Sequence, residues 1–545
     1  MNNKLIFEQY DMVVSITEKT LNDQLTHLLQ MGIIQPEFIV LKTYDRPSKK
    51  YVFQVLASSD EIPRNPDGTP KQSCIDGVIH PQVTIARSGT DIVFELNFLS
   101  GTAYLWDGAG PEAQLVAYDM TDWKYGISIT MDLKSVEKES LTNNRSVPDL
   151  VKDQLYHFMD HMFTVNSLFM DFESTDLLRF DPTHTDTGKD AGDLGCEQFV
   201  LFMQAYLREL QAKGNPYILG YAIHTTPLTD PPSQLQVPDA LQPVGTTFTM
   251  FHDADNSNMS TLNFILATKG GHRSVEGTPG IFDTNWIGTT EQCDAKMIYS
   301  HHVLVEEFLL RPIFDQMSSG IYGHILNHIH VGMGNPYEDA KRAYVNPDGT
   351  YGFSYNISDV NSGDNQYVNR FSVNIANNTA ASKIDLNFNG HIALYRNVSR
   401  DMGFCTAHAW AQGSVDWSGT ISLIASVADN RPVLSMTNSF KIDQSSSNSG
   451  KNDCAKAFEI FGEIVKGILD VLTFFSAGDF FHDLFDQVFK LDIPGIGDIG
   501  NVFGNLSNVC QTTIMLPAGQ VFFFKNPSAD NEGNFMLELT YKAEN

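Results

Sequence analysis

Two groups of histidine residues have a spacing that could support metal chemistry. They are His157 and His161 in one group, and His324, His328 and His330, preceded by His301 and His302, in the other. Imidazoles four residues apart on a helix lie on one face and can bind the same divalent ion. A zinc-protease helix needs Glu directly after its first His, where this chain has Phe158. We therefore expect packing histidines, and we predict no metal centre and no cofactor.

An oxygen-rich loop offers a second candidate for metal chemistry, in this case calcium binding. Its ligand-type residues are Asp181, Thr183, His184, Asp186, Asp190 and Asp193. Counted from Asp181, the loop lacks the Gly at position six and the Glu at position twelve that define an EF-hand. We interpret it as a solvated loop.

Catalytic motifs do not occur in the sequence. There is no G-x-S-x-G nucleophile turn, no Walker A loop and no dinucleotide-binding glycine fingerprint. We therefore expect a protein that is not an enzyme. A metal-dependent hydrolase built on one of the histidine groups is kept as the weakest alternative.

The charge balance limits the partners. The chain has 36 Lys and Arg against 65 Asp and Glu, a formal net charge of −29, and its longest basic cluster is Lys49-Lys50. Such a surface repels nucleic acid and most anionic membranes. At 42% hydrophobic and 19% charged residues, the 545-residue chain is nevertheless a folded one. We expect no nucleic-acid partner.

The cysteines and the apolar segments indicate the cellular compartment of the protein. The six cysteines lie far apart without a C-x-x-C, so neither a disulfide framework nor a zinc site is expected. The N-terminal residues lack a signal-peptide pattern, and no window is apolar enough to span a bilayer. We expect synthesis as a soluble cytoplasmic protein, with any release by a non-classical route.

The element best suited to hold a ligand is an apolar helix predicted over residues 146–163. Ser146 can cap it, Pro148 suits its first turn, and large apolar side chains recur every fourth residue. Such a stripe is core in most proteins. Wrapped by a curved sheet, it would instead form the wall of a lipid site. The candidate wall residues are Leu155, Phe158, Met159, Met162 and Phe163.

A second apolar region, residues 454–505, reads as two amphipathic helices followed by a Gly-rich stretch. It can be a helix pair packed in the core, or a segment that swings out and enters a membrane. The candidate membrane-active residues are Phe475, Phe480, Phe481 and Phe485. Its polar positions are mostly acidic, so we expect insertion to be favoured only at low pH.

The rest of the sequence is predicted to form strands and three further helices. A capping box at Ser15 and Glu18 predicts a helix ending near Gly32. Helices are also predicted over 196–213 and 298–317, and a flexible loop over 444–452. Strands are predicted over 37–44, 51–57, 77–85, 91–98, 102–106, 165–172, 216–224, 246–252, 260–268, most of 349–443, 520–525 and 534–541.

Several of these segments resemble one protein family in the right order. They are YDMVVSITEKTLNDQL at 10–25, DADNSNMSTLNFILAT at 253–268, DTNWIG at 283–288, and PAGQVFFFKNP with NFMLELTY near the end. These resemble the clostridial neurotoxin-cluster OrfX family and its forty-seven-kilodalton relative. The resemblance implies the tubular lipid-binding (TULIP) fold, binding of lipid or phosphoinositide, and association with toxins, including orally active insect toxins. It implies no catalytic residues.

These observations lead to one architecture and a ranked set of functions. We predict an α+β, TULIP-like protein with long, strongly curved antiparallel sheets wrapped around long amphipathic helices. The expected regions are 1–225, a Pro-rich loop at 226–245, a strand-rich region at 246–443, and a helical segment with closing strands at 444–545. We predict a non-enzymatic lipid- or apolar-ligand-binding protein of a toxin or insecticidal virulence system, with membranes or toxin-complex proteins as further partners. Membrane insertion through 454–505 is the alternative.

Overall fold

Three antiparallel sheets and a few helices make up the described part of the chain. The computed structural model describes residues 10–89, 91–108, 110–136, 143, 147, 149, 152, 163–170, 181–188, 192–212, 217–225, 239–241, 243–271, 285–288, 290–310, 344–345, 351–358, 365–378, 383–428, 431–456, 514–516, 518, 522–530 and 534–541. The helices are α1 (Glu18–Gln30), α2 (Gly192–Ala212), the short α3 (Asp453–Lys456) and a π-helix (His302–Leu310). Short 3-10 turns occur at Ser59–Glu61, Gly110–Glu112, Asp239–Leu241 and Ser257–Met259.

The first sheet has nine strands. They are β2 (Glu37–Asp45), β3 (Lys50–Val55), β4 (Cys74–Thr84), β5 (Asp91–Asp107), β6 (Gln114–Asp119), β7 (Lys124–Val136), β8 (Phe163–Met170), β9 (Ile218–Thr225) and β19 (Ile514–Met515). Their order is β19-β9-β8-β7-β5-β4-β2-β3, with β6 also paired to β5. The strand β5 runs unbroken through two predicted strands. At Gly101, which pairs with Gly77 of β4, the backbone of β5 has φ +143°. A Cβ on Gly101 would lie 2.5 Å from the Gly77 Cα, so this position requires glycine.

The central sheet combines strands from the beginning, middle and end of the chain. They are β1 (Met12–Thr17), β10 (Pro243–Phe251), β11 (Thr261–Thr268), β12 (Ala295–Tyr299), β20 (Phe522–Ala529) and β21 (Phe535–Tyr541). Their order is β10-β11-β1-β12-β21-β20. The proposed regions 1–225, 246–443 and 444–545 therefore each contribute strands to this one sheet.

The third sheet is a meander of six strands in sequence order. They are β13 (Tyr344–Val345), β14 (Tyr351–Ser358), β15 (Asn365–Asn378), β16 (Lys383–Asp401), β17 (Thr406–Ala428) and β18 (Arg431–Lys451). Strands of 19 to 23 residues are unusually long. Buried and less buried residues alternate along β17, because Ala409, Val415 and Trp417 share its inner face.

One hydrophobic core connects the three sheets. A single cluster of buried side chains includes Leu25 of α1, Phe94 of β5, Leu266 of β11 and Trp417 of β17. Among the described residues, the antiparallel sheets predicted from sequence are confirmed. The long amphipathic helices predicted at 146–163 and 454–505 lie almost entirely outside the described residues.

Four local predictions are wrong or need correction. Ser15 is not a helix cap: it lies inside β1 and donates to Asn263 Oδ1 at 2.6 Å, while Thr17 caps α1 by accepting from the Thr20 N–H. Strand β1 runs straight into α1, so the first hydroxyl free to cap is that of Thr17. The helix predicted over 146–163 cannot include Phe163, which begins β8 and pairs with Thr225.

The other two corrections concern 298–317 and 444–452. Ile298 and Tyr299 belong to β12, and the helix begins only at His302. The predicted loop 444–452 is strand up to Lys451, because its polar residues pair along β17. The cysteine spacing predicted no disulfide framework, and the structure has a single bond between Cys405 and Cys454, with Cα atoms 6.2 Å apart, that this spacing did not indicate.

Candidate apolar-ligand site

Helix α2 presents the most aromatic buried face in the described structure. Its residues include many good helix formers (Leu, Met, Gln, Glu and Ala). Five large side chains at helical spacing are 0 to 5% exposed: Phe199, Phe202, Met203, Tyr206 and Leu207. Leu201, on the opposite side, is 43% exposed. The amphipathic helix predicted over 196–213 is thereby confirmed, and its apolar face must rest on a sheet.

The first sheet supplies the other wall of this site. Rings from β2, β3, β5 and β7, and the ring of Trp123 just before β7, contact the rings of α2. The centroid distances are 4.5 Å for Phe38–Tyr206, 5.7 Å for Phe98–Phe199, 5.9 Å for Tyr125–Phe199, 5.3 Å for Trp123–Phe199 and 5.0 Å for Phe53–Phe202. Most of these pairs are edge-on or tilted, the geometry that aromatic rings prefer. We call this arrangement the aromatic cradle.

Three phenol groups are buried in or beside the cradle. Burial raises the pKa of Tyr206 to about 12, and burial raises the pKa of Tyr217 well above its usual value. The hydroxyls of Tyr206 and Tyr217 lie beside each other, and each shifts the pKa of the other. Tyr125 is also fully buried, and its hydroxyl has no hydrogen-bond partner among the described residues. Burial raises the pKa of Tyr125 as well, so this group is a neutral donor at all ordinary pH values.

A side-chain amide ties α2 to the sheet. Gln198 Nε2 donates to the Trp106 carbonyl at 2.7 Å, and the Trp106 N–H donates to Gln198 Oε1 at 3.0 Å. This pair imitates one step of a β-ladder at the end of β5. The helix is thus fixed by polar contacts near its start and by ring packing along its length.

The cradle offers binding chemistry and no reacting groups. Its described walls are aromatic and aliphatic, and the Tyr125 hydroxyl is a buried polar atom there with no partner among the described residues. An apolar molecule that carried one carbonyl, carboxylate or hydroxyl oxygen could pack on the rings and accept that hydrogen bond.

The sequence-predicted site residues lie largely outside the described residues. This holds for Leu155, Phe158, Met159 and Met162, for Phe475, Phe480, Phe481 and Phe485, and for His157, His161, His324, His328 and His330. Phe163 is placed in β8 by its backbone. Both predicted apolar sites remain predictions.

The acidic loop is described from Asp181 to Gly188. Asp181 Oδ1 accepts from the Thr183 N–H at 2.9 Å and from its hydroxyl at 2.6 Å, and His184 Nδ1 lies 3.2 Å from the Asp181 carboxylate. These bonds hold a tight turn against β7, where Gly126 N–H donates to the Thr185 hydroxyl. Within the described ranges, no group of three or more His, Cys, Asp and Glu residues could hold a metal ion.

Sequence reasoning found both walls of the cradle without pairing them. The α2 face and the apolar face of β5 with Phe94 and Phe98 were each predicted, but the candidate site was assigned to another helix. The available signal was the match in chemistry: a phenylalanine-rich helix face needs a phenylalanine-rich sheet face to cover it.

Comparison with known proteins gives structural relatives only. No family model and no curated protein matches the sequence. The fold is similar to P47 from Clostridium botulinum A2, with 11% identity, a TM-score of 0.42, and 97% of each chain covered. It is also similar to P47 of Clostridium botulinum E1, with 10% identity, a TM-score of 0.48, and 98% of this chain and 99% of that chain covered.

A third similarity is to a lipopolysaccharide binding protein, with 7% identity, a TM-score of 0.28, and 98% of this chain and 100% of that chain covered. The two P47 structures belong to the forty-seven-kilodalton relative that the sequence motifs resemble. Similarities this distant do not assign a ligand or a function. Among the described residues, no helix combines the length and the apolar character needed to cross a membrane.

Proposed function

We propose that the protein binds a lipid or another apolar molecule without catalysing a reaction, and that it acts within a bacterial toxin or insecticidal system. The observation that supports the ligand is the aromatic cradle with the unpaired Tyr125 hydroxyl. The toxin association follows from the resemblance to the neurotoxin-cluster proteins. The TULIP-like arrangement, with a curved sheet around a helix, belongs to the same proposal.

The Tyr125 hydroxyl gives the more specific support for a bound ligand. A buried donor without an acceptor costs about 1–3 kcal/mol, and native cores contain few of them. Tyr125 lies under the first half of α2, where Cys196 is near enough to raise its pKa further. A ligand oxygen at this position would remove the cost, while its apolar part replaced ring contacts between α2 and the sheet.

Native mass spectrometry of the purified protein, followed by organic extraction, tests the proposal. We expect a reproducible bound lipid in the wild type and a lower occupancy in Tyr125→Phe. Tyr395→Phe removes the same atom from the third sheet and serves as the matched control, with unchanged occupancy expected. Protein that carries no lipid and takes up none on incubation would refute apolar-ligand binding. Equal occupancy in Tyr125→Phe would place the lipid elsewhere, with the residues near 155–163 as the next wall to mutate.

The alternative proposal is membrane insertion through residues 454–505. Cys454, the first residue of this segment, is bonded to Cys405 beside the strongly exposed Phe404, which lies in the loop between β16 and β17. The disulfide holds the segment at its first residue, and it would not prevent the rest of the segment from entering a membrane. Liposome leakage that is lost when Phe480 and Phe481 are changed to Asp, with the fold intact, would support insertion.

A further inference from the structure

The hairpin of β2 and β3 carries positive charge on a strongly acidic protein. Between residues 42 and 50 stand Lys42, Arg46, Lys49 and Lys50 against Asp45 alone, whereas the whole chain has a net charge of −29. A local cationic patch on such a protein attracts acidic groups selectively, since the rest of the surface repels them.

The same hairpin exposes aromatic side chains. Tyr44 is 50% and Tyr51 is 66% exposed, and their ring centroids are 5.3 Å apart across the two strands. The Lys42 Nζ lies 4.8 Å from the centroid of the Tyr51 ring and 5.8 Å from that of Phe53. Aromatic rings with a cation beside them are typical of protein-binding surfaces.

Strand β3 is an edge strand with its backbone turned outward. In the part of the chain that the structure describes, β3 pairs with β2 only. The Leu56 N–H donates to the Ile39 carbonyl at 2.9 Å, which fixes the phase of the ladder. Hydrogen-bonded pairs alternate along an antiparallel ladder, so the N–H and C=O groups of Tyr51, Phe53 and Val55 point away from β2.

The edge strand at the end of the third sheet differs from β3. Over residues 444–450, β18 reads QSSSNSG, and its exposed side chains are short and polar. Proteins commonly make edges polar to prevent pairing with other chains. The edge β3 instead combines exposed rings with outward backbone groups, the two features that a pairing strand uses.

We propose that β3 is a docking edge for an extended acidic segment of a partner protein, which adds to the first sheet as a further strand. The outward backbone groups of Tyr51, Phe53 and Val55 bond to the segment. Its carboxylates face the lysines, and its apolar side chains pack on the exposed tyrosines. Docking of β3 on a second copy is disfavoured, because two such hairpins would bring like charges together.

An anionic membrane is the competing partner for the same patch, and the backbone geometry favours the peptide. An anionic lipid surface can bind the lysines and contact the tyrosines. It offers no regular ladder of hydrogen-bond donors and acceptors to the β3 edge. The docking edge shares Phe53 with the aromatic cradle but does not use the Tyr125 hydroxyl, so either proposal can fail while the other stands.

Fluorescence anisotropy with the full chain tests this proposal. The probe is a labelled peptide of about eight residues with alternating Glu and Val, and the control peptide has Lys in place of Glu. We expect binding of the acidic peptide only. The change Tyr51→Pro removes an outward N–H without touching the β2 ladder, and we expect it to weaken binding at least about tenfold.

A double lysine variant and a single lysine control complete the test. Lys42→Gln with Lys50→Gln is expected to weaken binding and its salt dependence, whereas the exposed Lys71→Gln is expected to leave both unchanged. Equal binding by Tyr51→Pro, no binding by wild type, or binding of phosphatidylserine–phosphatidylcholine vesicles in place of the peptide would each overturn the proposal. If Tyr51→Pro does not fold by circular dichroism, amide exchange on the wild type decides. Protection of Tyr51 and Phe53 by the peptide supports the docking edge, and its absence refutes it.

Discussion

Glu18, the first residue of α1, has a carboxyl group that is 4% exposed. Burial raises its pKa to about 7, against an ordinary value of 4.5. The Ile85 N–H donates to Glu18 Oε2 at 2.7 Å and lowers the pKa, and the nearby Glu95 carboxylate raises it. The folded protein therefore holds this proton more tightly than the unfolded chain does.

The pH dependence of stability follows from this difference. The contribution of Glu18 is fully present below about pH 4.5 and is lost as the pH rises towards 7, because the unfolded chain releases the proton first. We expect Glu18→Gln to keep the acceptor for Ile85 and to be more stable than wild type at pH 8, with a smaller difference at pH 4.5. Urea unfolding at both pH values measures this. The exposed Glu112→Gln controls for loss of one charge, and a wild-type difference independent of pH would contradict the assignment.

The buried phenols give a second prediction at the scale of single atoms. Tyr206→Phe removes a hydroxyl that lies beside the fully buried Tyr217 hydroxyl, and we expect a loss of about 1–3 kcal/mol in the free energy of unfolding. Tyr125→Phe removes a hydroxyl that has no hydrogen-bond partner among the described residues, so ligand-free protein should be equally or more stable. Chemical denaturation of the two variants compares them directly. A larger loss for Tyr125→Phe would mean that its hydroxyl is paired.

At the scale of elements, the disulfide fastens two parts of the third sheet. Cys405 lies in the loop from β16 to β17, and Cys454 lies in α3, directly after β18. Asn452 extends the same junction, because its side chain donates to the Thr406 carbonyl at 2.8 Å and accepts from the His408 N–H at 3.0 Å. The strands β17 and β18 are thus closed at both ends.

The bond closes a loop with a sequence separation of 49 residues. In the chain-entropy description, such a cross-link contributes about 4 kcal/mol. We expect Cys405→Ser to lower the free energy of unfolding by up to about this amount under non-reducing conditions. Dithiothreitol should bring wild type to the value of the variant and leave the variant unchanged. Identical stability of the two oxidised proteins would show that the link does not constrain the unfolded chain.

Local patterns predicted most of these elements, and their failures have common causes. Alternation of apolar residues predicted the first part of β5, strand-like composition predicted β16 and β17, and helical spacing predicted α2. The polar run 444–452 was predicted as a loop because its strand character comes from pairing with β17 and from nothing local. The Cys405–Cys454 disulfide and the packing of α2 on β5 are tertiary contacts between distant residues. Residue spacing along the chain cannot predict them.

At the scale of the whole molecule, the last strands complete the central sheet. In β21, Phe535, Leu537 and Leu539 are 0 to 3% exposed, and the strand pairs with β12 over Ala295–Tyr299. Burying each of these side chains stabilises the fold by about 1.5–3 kcal/mol. Their sum is comparable to the total stability of many domains.

We expect a chain that ends at Leu516 to lose the fold of the central sheet. Deletion of 517–545 removes β20 and β21 and uncovers one edge of β12. Solubility on expression and circular dichroism on heating measure the effect, and deletion of 542–545 alone is the control. A truncated protein that melts like the full chain would contradict this expectation. It would show that β20 and β21 do not stabilise the rest of the chain.

The position of β1 has a consequence for the order in which the protein can form during synthesis. β1 is flanked by β11 and β12, and Ser15 bonds to a residue 248 positions further along the chain. At about 5–20 residues per second, the ribosome needs roughly 15–60 s after β1 to deliver both neighbours. Throughout that interval an apolar strand with two open edges is present on the nascent chain. The topology therefore requires an assembly in which the central sheet closes late.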